Sequence, residues 1–185
     1  MAAAETLPYR SMAYNNAWAN HRLLTACAAL DDAAFRAPRT GFFPSLAATL
    51  NHVLVVDWFY VDALEGRKPR AWSDELLFPT AAALHAEQRA VDDRLIAVCE
   101  ALAASDLSGD VRIDRGDRIQ VERMDRLLLH LLEHQIHHRG QAHAMLSATS
   151  VKPPQLDEFF CAGEAPLRAS EFAQLGWTED RVWGR

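Results

Sequence analysis

Four long segments of the chain have apolar residues at the three- and four-residue spacing of an amphipathic helix. They cover about residues 9–30, 46–64, 80–102 and 125–148. Ser45 stands where an N-cap residue would begin the second helix, and Gly66 and Pro69 would end it. Pro153 and Pro154 prevent the fourth helix from continuing much further. The pattern predicts an all-α protein that is built as an antiparallel four-helix bundle.

Several features interrupt this helical pattern. Gln88 is a polar residue in the apolar seam of the third helix, and Gly140 in the fourth helix predicts close packing against a neighbouring helix. Between residues 110 and 121, two short alternating runs flank a polar turn, which predicts a small β-hairpin before the last long helix.

The C-terminal tail has a short predicted helix at about residues 170–175. Trp177 and Trp183 predict that this tail packs on the bundle, because tryptophan is poorly suited to a solvated tail.

The composition favours one domain over residues 1–185, because 185 residues suffice for one sizeable core. The chain has 19 Lys and Arg against 25 Asp and Glu, and its formal charge of −6 disfavours a nucleic-acid or anionic-membrane partner. No apolar run approaches the ~20 residues that a membrane span needs, and the N-terminus lacks an export pattern. The three cysteines lie far apart, which favours reduced thiols and a cytoplasmic protein.

Histidine is concentrated in the fourth predicted helix, which has five of the eight histidines between His130 and His143. On a helical wheel, four of these histidines and one amide share an arc of about 100°, whereas His143 lies on the opposite side. The residues of the arc are His130, His134, His137, His138 and Gln141. Histidines at positions i and i+4 can hold one metal ion through their ring nitrogens, so the arc predicts a metal site.

A catalytic metal site usually has three protein ligands and one open position. His52, in the second predicted helix, is the obvious third ligand. The wheel alone leaves open whether His137 or His138 joins His134 at the ion. Three residues are candidates for the fourth position: His130, His137 and Gln141.

The same segment contains one zinc-protease pattern. His-Glu-x-x-His is absent, because Gln135 stands where the glutamate would be. The inverted pattern His-x-x-Glu-His is present, with His130 and His134 as ligands and Glu133 as the base. No third ligand accompanies this pattern, so a protease is the weaker hypothesis.

Three segments of the sequence resemble the DinB/YfiT-like family of metal-dependent enzymes, which are helical-bundle proteins and not the DNA polymerase of that name. The segments are YNNAWAN at residues 14–20, LNHV with DW at residues 50–53 and 57–58, and HQIHHRGQ at residues 134–141. The order and spacing of all three agree with the family over about residues 9–160. The last segment is the most specific.

The resemblance implies a four-helix bundle with one divalent metal ion, nickel or zinc. The ligands that it implies are His52, His134 and His138. The resemblance further implies that the other polar residues of the arc contact or surround these ligands. These residues are His130, His137 and Gln141. The tail after Cys161 matches no part of the family pattern.

Characterised members of this family include thiol-dependent S-transferases and a maleylpyruvate isomerase. The resemblance therefore implies a metal-dependent enzyme that activates a low-molecular-weight thiol toward a small-molecule substrate. One alternative is a hydrolase that uses metal-bound hydroxide, and another is a non-catalytic metal- or small-molecule-binding protein of a stress response. The tail tryptophans and the apolar helix surfaces further predict a homodimer.

Overall fold

The computed structural model describes residues 4–70 and 76–184. The long helices within these ranges are α1 (Leu7–Cys27), α3 (Leu46–Leu64), α4 (Ala81–Ala101) and α5 (Met124–Ser147). The shorter helices are α2 (Asp32–Arg36), α6 (Ala165–Leu175) and α7 (Glu179–Trp183), with 3-10 turns at Ala104–Ser108 and Ala162–Glu164. Strands β1 (Asp110–Asp114) and β2 (Ile119–Arg123) form an antiparallel hairpin between α4 and α5. None of the helices in these ranges is both long enough and apolar enough to cross a membrane.

The four long helices pack as a bundle around one apolar core, as the sequence predicts. The first part of α1 contacts the last part of α4, so these two helices are antiparallel. The first part of α3 contacts the last part of α5 in the same manner. α3 and α4 lie side by side and run in the same direction. The predicted antiparallel bundle is confirmed as two antiparallel pairs.

Side-chain caps fix where the helices begin. The Ser45 hydroxyl accepts a hydrogen bond from the Ala48 N–H at 3.0 Å, which confirms the predicted N-cap of α3. Thr80 caps α4 in the same way, accepting from the Ala83 N–H at 3.3 Å. Each cap satisfies an N–H group that has no partner within its own helix. His52 therefore lies in the second turn of α3, at a position that the cap defines.

The chain between α1 and α3 has more secondary structure than the sequence pattern predicts. α1 ends at Cys27 and not at Leu30, and α2 follows after a short turn. Asp31 caps α2 by accepting from the Ala34 N–H at 2.7 Å, and the Phe35 ring is buried in the core. A five-residue helix is too short to produce a periodic apolar signal, so the pattern did not reveal it.

The C-terminal tail packs on the bundle, which confirms the prediction from its tryptophans. Trp177 is buried and meets the Tyr14 ring of α1 edge-on, with the ring centroids 4.9 Å apart. Arg168 of α6 is fully buried and donates two hydrogen bonds to the Glu179 carboxylate, each of 2.9 Å. α6 begins at Ala165, so it is longer than the helix predicted at residues 170–175.

Candidate metal centre

Three histidines lie together between α3 and α5. His52 is on α3, and His134 and His138 are one turn apart on α5. Each offers a ring nitrogen, and these three nitrogens all lie within 4.8 Å of one another. The Nε2 atoms of His52 and His134 are 3.0 Å apart. Two nitrogens bound to one tetrahedral ion at ~2.1 Å would lie about 3.4 Å apart, so the donor set fits a metal ion.

The group has three members among the residues that the structure describes. No further His, Cys, Asp or Glu in residues 4–70 and 76–184 places a ligand atom within the same distance of all three. A divalent ion with three protein ligands keeps at least one position for a small molecule. The arrangement can therefore bind a metal ion and leave it accessible to a ligand.

The surroundings keep the imidazoles of His134 and His138 neutral. Burial, and after it the neighbouring His138 and His52 rings, lowers the pKa of His134 to about 3. Burial also lowers the pKa of His138, while its hydrogen bond with Gln141 acts in the opposite direction. A neutral imidazole has the nitrogen lone pair that a metal ion needs. His134 and His138 are therefore in the ligand form at neutral pH.

Gln141 contacts both of the histidines that the helical wheel could not separate. Its side-chain oxygen accepts a hydrogen bond from Nδ1 of His138 at 2.9 Å, and its amide nitrogen lies 3.1 Å from Nε2 of His137. A proton on Nδ1 leaves the lone pair of His138 on Nε2. His137 is exposed and does not belong to the three-histidine group. Gln141 thus contacts the candidate ligand His138 directly, and His137 lies on the other side of the Gln141 amide.

His130 lies one turn before His134 but faces different partners. Its Nε2 atom is 3.3 Å from the hydroxyl of Tyr60 on α3. Arg115, in the turn of the hairpin, donates to the same hydroxyl at 3.2 Å. His130 is exposed and lies outside the three-histidine group, so the geometry does not support the inverted protease pattern.

An aromatic side chain borders the other side of the site. Phe43 lies in the loop before α3, with its ring centroid 4.3 Å from that of His52 and 5.5 Å from that of His138. The neighbouring Phe42 is 79% exposed. Sequence reasoning missed both residues, because a loop has no periodicity that assigns its side chains to a helix face.

A buried polar network behind the histidines begins at Arg139, the residue after His138. The guanidinium of Arg139 donates to the side-chain oxygens of Asn16 and Asn20 on α1, at 2.6 and 2.9 Å. Both side-chain amides donate in turn to the Asp92 carboxylate on α4, at 3.1 Å. Burial lowers the pKa of Arg139 to about 10, so this side chain remains a cation at neutral pH.

The same network continues to α3. Gln88 donates to Asp57 at 2.6 Å and to Asp92 at 3.2 Å. Burial raises the pKa of Asp57 to about 7, while the side-chain amides of Gln88 and Gln135 oppose the rise. Burial and the nearby Asp57 raise the pKa of Asp92 as well. Periodicity indicated only Gln88, as a polar residue in an apolar seam, whereas Asn16, Asn20, Asp57 and Arg139 lie in the segments that resemble the family.

One prediction about this helix is wrong. Gly140 does not pack closely, because a β-carbon added there would meet no atom within 4 Å. The residue is exposed and lines an open groove that Met12 and Phe160 border. His143 lies away from the site, as the wheel predicts, and its Nε2 atom donates to the Pro154 carbonyl at 2.9 Å.

Comparisons with known proteins agree with this architecture. The DinB family model matches residues 3–168. The crystal structure of a DinB-like protein from Bacillus cereus ATCC 10987 is similar, with a TM-score of 0.59 and 14% identity over 75% of this chain and 90% of that chain. Curated proteins give no match. The structural likeness concerns the fold alone, whereas the family model spans most of the sequence, and the chain therefore belongs to the DinB family.

Proposed function

We propose that this protein is a metal-dependent enzyme whose co-substrate is a low-molecular-weight thiol. In this proposal, His52, His134 and His138 hold one divalent ion, nickel or zinc. The observation that carries the proposal is the convergence of three imidazole nitrogens with no fourth His, Cys, Asp or Glu ligand among the described residues. When bound, a divalent ion with three neutral ligands acts as a Lewis acid and favours the thiolate form of a thiol at its open position.

The cysteines of the chain support a nucleophile that comes from outside the protein. Cys27 and Cys99 are buried, and burial raises the pKa of each thiol to about 12. Such thiols are not ionised at neutral pH, and only the thiolate is a strong nucleophile. Cys161 is exposed in the tail, outside the three-histidine group. A small-molecule thiol supplies the nucleophile that the described site residues lack.

The side chains of the site have separate roles in this proposal. The three histidines bind the ion, and Gln141 keeps a proton on Nδ1 of His138, so that Nε2 has the lone pair. Phe43 covers one face of His52 and limits the approach of water from that side. In the transfer itself, the thiolate sulfur forms a bond to an electrophilic carbon, and the leaving group departs with the electrons of the broken bond.

An activity screen of the loaded protein tests the proposal. The protein is loaded with Ni²⁺ or Zn²⁺ and mixed with 1-chloro-2,4-dinitrobenzene and several cellular thiols, including cysteine and glutathione. We expect chloride displacement that needs both metal and thiol and that His134→Ala abolishes. Turnover of an ester with water alone would favour a hydrolase. Tight metal binding without any turnover would favour a binding protein.

A further inference from the structure

Arg115 lies in a turn that hydrogen bonds hold in place. Residues 115–118 connect β1 to β2, and the Arg115 N–H donates to the Arg118 carbonyl at 2.9 Å. The Asp114 carboxylate accepts from the Gly116 N–H at 2.7 Å. Gly116 has φ of 89°, a conformation that favours glycine. The backbone from which the Arg115 side chain extends is thus well defined.

The guanidinium of Arg115 is itself held by neutral groups. Its Nε atom donates to Gln120 at 2.8 Å, and Nη2 donates to the Tyr60 hydroxyl at 3.2 Å. Its Cζ atom lies 4.7 Å from the ring centroid of Phe59. Hydrogen bonds and aromatic stacking together fix the plane of a guanidinium. Arg115 therefore presents its remaining N–H groups, on Nη1 and Nη2, in a defined direction.

The positive charge of Arg115 has no carboxylate partner within the described residues. The acidic groups of the hairpin beside Arg115 in sequence have other contacts: Asp114 with Lys68 at 3.5 Å, and Asp117 with Arg118 at 3.2 Å. Glu122 of β2 contacts Gln120 at 3.0 Å. An arginine that only neutral groups hold keeps its full attraction for an anion. The position of the Arg115 guanidinium is thus fixed, and its positive charge is available to an anionic ligand.

Tyr60 connects this arginine to the metal centre. The Tyr60 hydroxyl lies within hydrogen-bonding distance of both Arg115 Nη2 and His130 Nε2. His130 precedes His134 by one turn of α5, and helix residues so spaced have β-carbons roughly 5 to 6 Å apart. Polar groups therefore extend from the hairpin turn to the candidate metal ligands. Phe43 gives the opposite side of the site an apolar surface.

We propose that Arg115, Tyr60 and His130 form a carboxylate-binding subsite of the metal centre. This inference rests on the proposed function and gives its ligand a chemical class: a small molecule with a metal-binding group at one end and a carboxylate at the other. Arginine binds carboxylates through two parallel N–H groups, which gives both charge and direction. The alternative role for Arg115, pinning the hairpin to α3, would not distinguish ligands that have a carboxylate from ligands that lack one.

Two thiols of equal length provide the test. 4-Mercaptobutyrate has a carboxylate, and 4-mercaptobutanol has a hydroxyl in its place. Each is titrated into Co²⁺-loaded protein, and the thiolate-to-metal absorption band gives its Kd. We expect the wild type to bind the carboxylate about tenfold more tightly, as one charge-assisted contact would give. Arg115→Gln should remove this preference without changing the affinity for 4-mercaptobutanol.

A matched control comes from the same hairpin. Arg112 is an exposed arginine of β1 with no ion pair among the described residues, and Arg112→Gln removes the same charge. The preference for 4-mercaptobutyrate should persist in Arg112→Gln. Arg115→Lys keeps the positive charge and should retain part of the preference that Arg115→Gln loses. If Arg115→Gln does not fold, Tyr60→Phe takes its place and should weaken the preference. An undiminished preference in folded Arg115→Gln or Tyr60→Phe, or an equal loss of preference in Arg112→Gln, would overturn the subsite.

A second pair of probes separates this inference from the proposed function. Acetohydroxamate and succinate monohydroxamate bind divalent metals without a thiol, and only the second has a carboxylate. If neither thiol binds but the second hydroxamate binds more tightly in an Arg115-dependent way, the thiol proposal fails and the subsite stands. If the thiols bind without an Arg115-dependent preference, the subsite fails and the thiol proposal stands.

Discussion

Replacing Asp57 with asparagine tests whether the polar network behind the histidines holds a buried proton. Burial raises the pKa of this carboxyl from 3.8 to about 7. The folded protein then holds a proton that the unfolded chain releases at lower pH. Stability from this group is therefore present at low pH and is lost as the pH rises toward 7. Asparagine resembles the protonated carboxyl in shape and does not titrate.

The size of the effect follows from the shift in pKa. One pKa unit corresponds to about 1.36 kcal/mol, so the full shift corresponds to about 4 kcal/mol. Part of this is lost below pH 5, and roughly 2 to 3 kcal/mol is lost between pH 5 and pH 8. Asp57 Oδ2 accepts a hydrogen bond from Gln88 at 2.6 Å, and the side-chain oxygen of an asparagine can accept the same bond. The free energy of unfolding of Asp57→Asn, relative to wild type, should therefore rise by roughly 2 to 3 kcal/mol from pH 5 to pH 8.

Urea denaturation of the metal-free proteins in chelator, followed by circular dichroism at pH 5, 6, 7 and 8, measures this difference. Asp93→Asn is the control, because Asp93 is an exposed residue of α4 that pairs with Arg89 at 3.7 Å. The free energy of unfolding of Asp93→Asn should stay within about 0.5 kcal/mol of the wild-type value at every pH. A difference between Asp57→Asn and wild type that is the same at pH 5 and pH 8 would refute the argument. The carboxyl would then be ionised throughout.

Alanine at His134 or His138 should abolish metal retention, whereas alanine at His143, which contacts the tail, should leave it intact. Elemental analysis after dialysis gives the metal content per chain, and equal loss in all three variants would contradict the site. Cys161→Ala should leave thiol-transfer activity unchanged, because this residue is outside the site. Loss of activity in the folded variant would indicate covalent catalysis by the protein itself. Light scattering at tens of micromolar should show a homodimer, and a monomer alone would contradict that prediction.

Helical periodicity was sufficient to predict the bundle, because each long helix buries a stripe of apolar side chains whose spacing is visible in the sequence. The pairing of His134 with a residue one turn later on α5 follows from the same geometry. The choice between His137 and His138 does not, because both lie on the polar arc of the wheel. The family resemblance favoured His138, and the structure brings its ring nitrogen together with those of His52 and His134.

The parts that the sequence did not reveal depend on contacts between distant segments. Phe43 reaches His52 from a loop, and Arg115 reaches Tyr60 from the hairpin turn. Neither contact leaves a local pattern, because the partners are far apart in the chain. Gly140 was misjudged for a related reason: a glycine in a helix has the same sequence signal whether it packs against a neighbour or lines an open groove.

X-ray absorption spectroscopy of the Zn²⁺-loaded protein tests the proposed thiol-binding metal centre most directly. Without a thiol, we expect three histidine nitrogens at ~2.0 to 2.1 Å, one oxygen from solvent and no sulfur. With 2-mercaptoethanol, one sulfur should appear at ~2.3 Å while the three nitrogens remain. Absence of sulfur in the presence of the thiol, or a first shell without the imidazole signature of three histidines, would contradict the account.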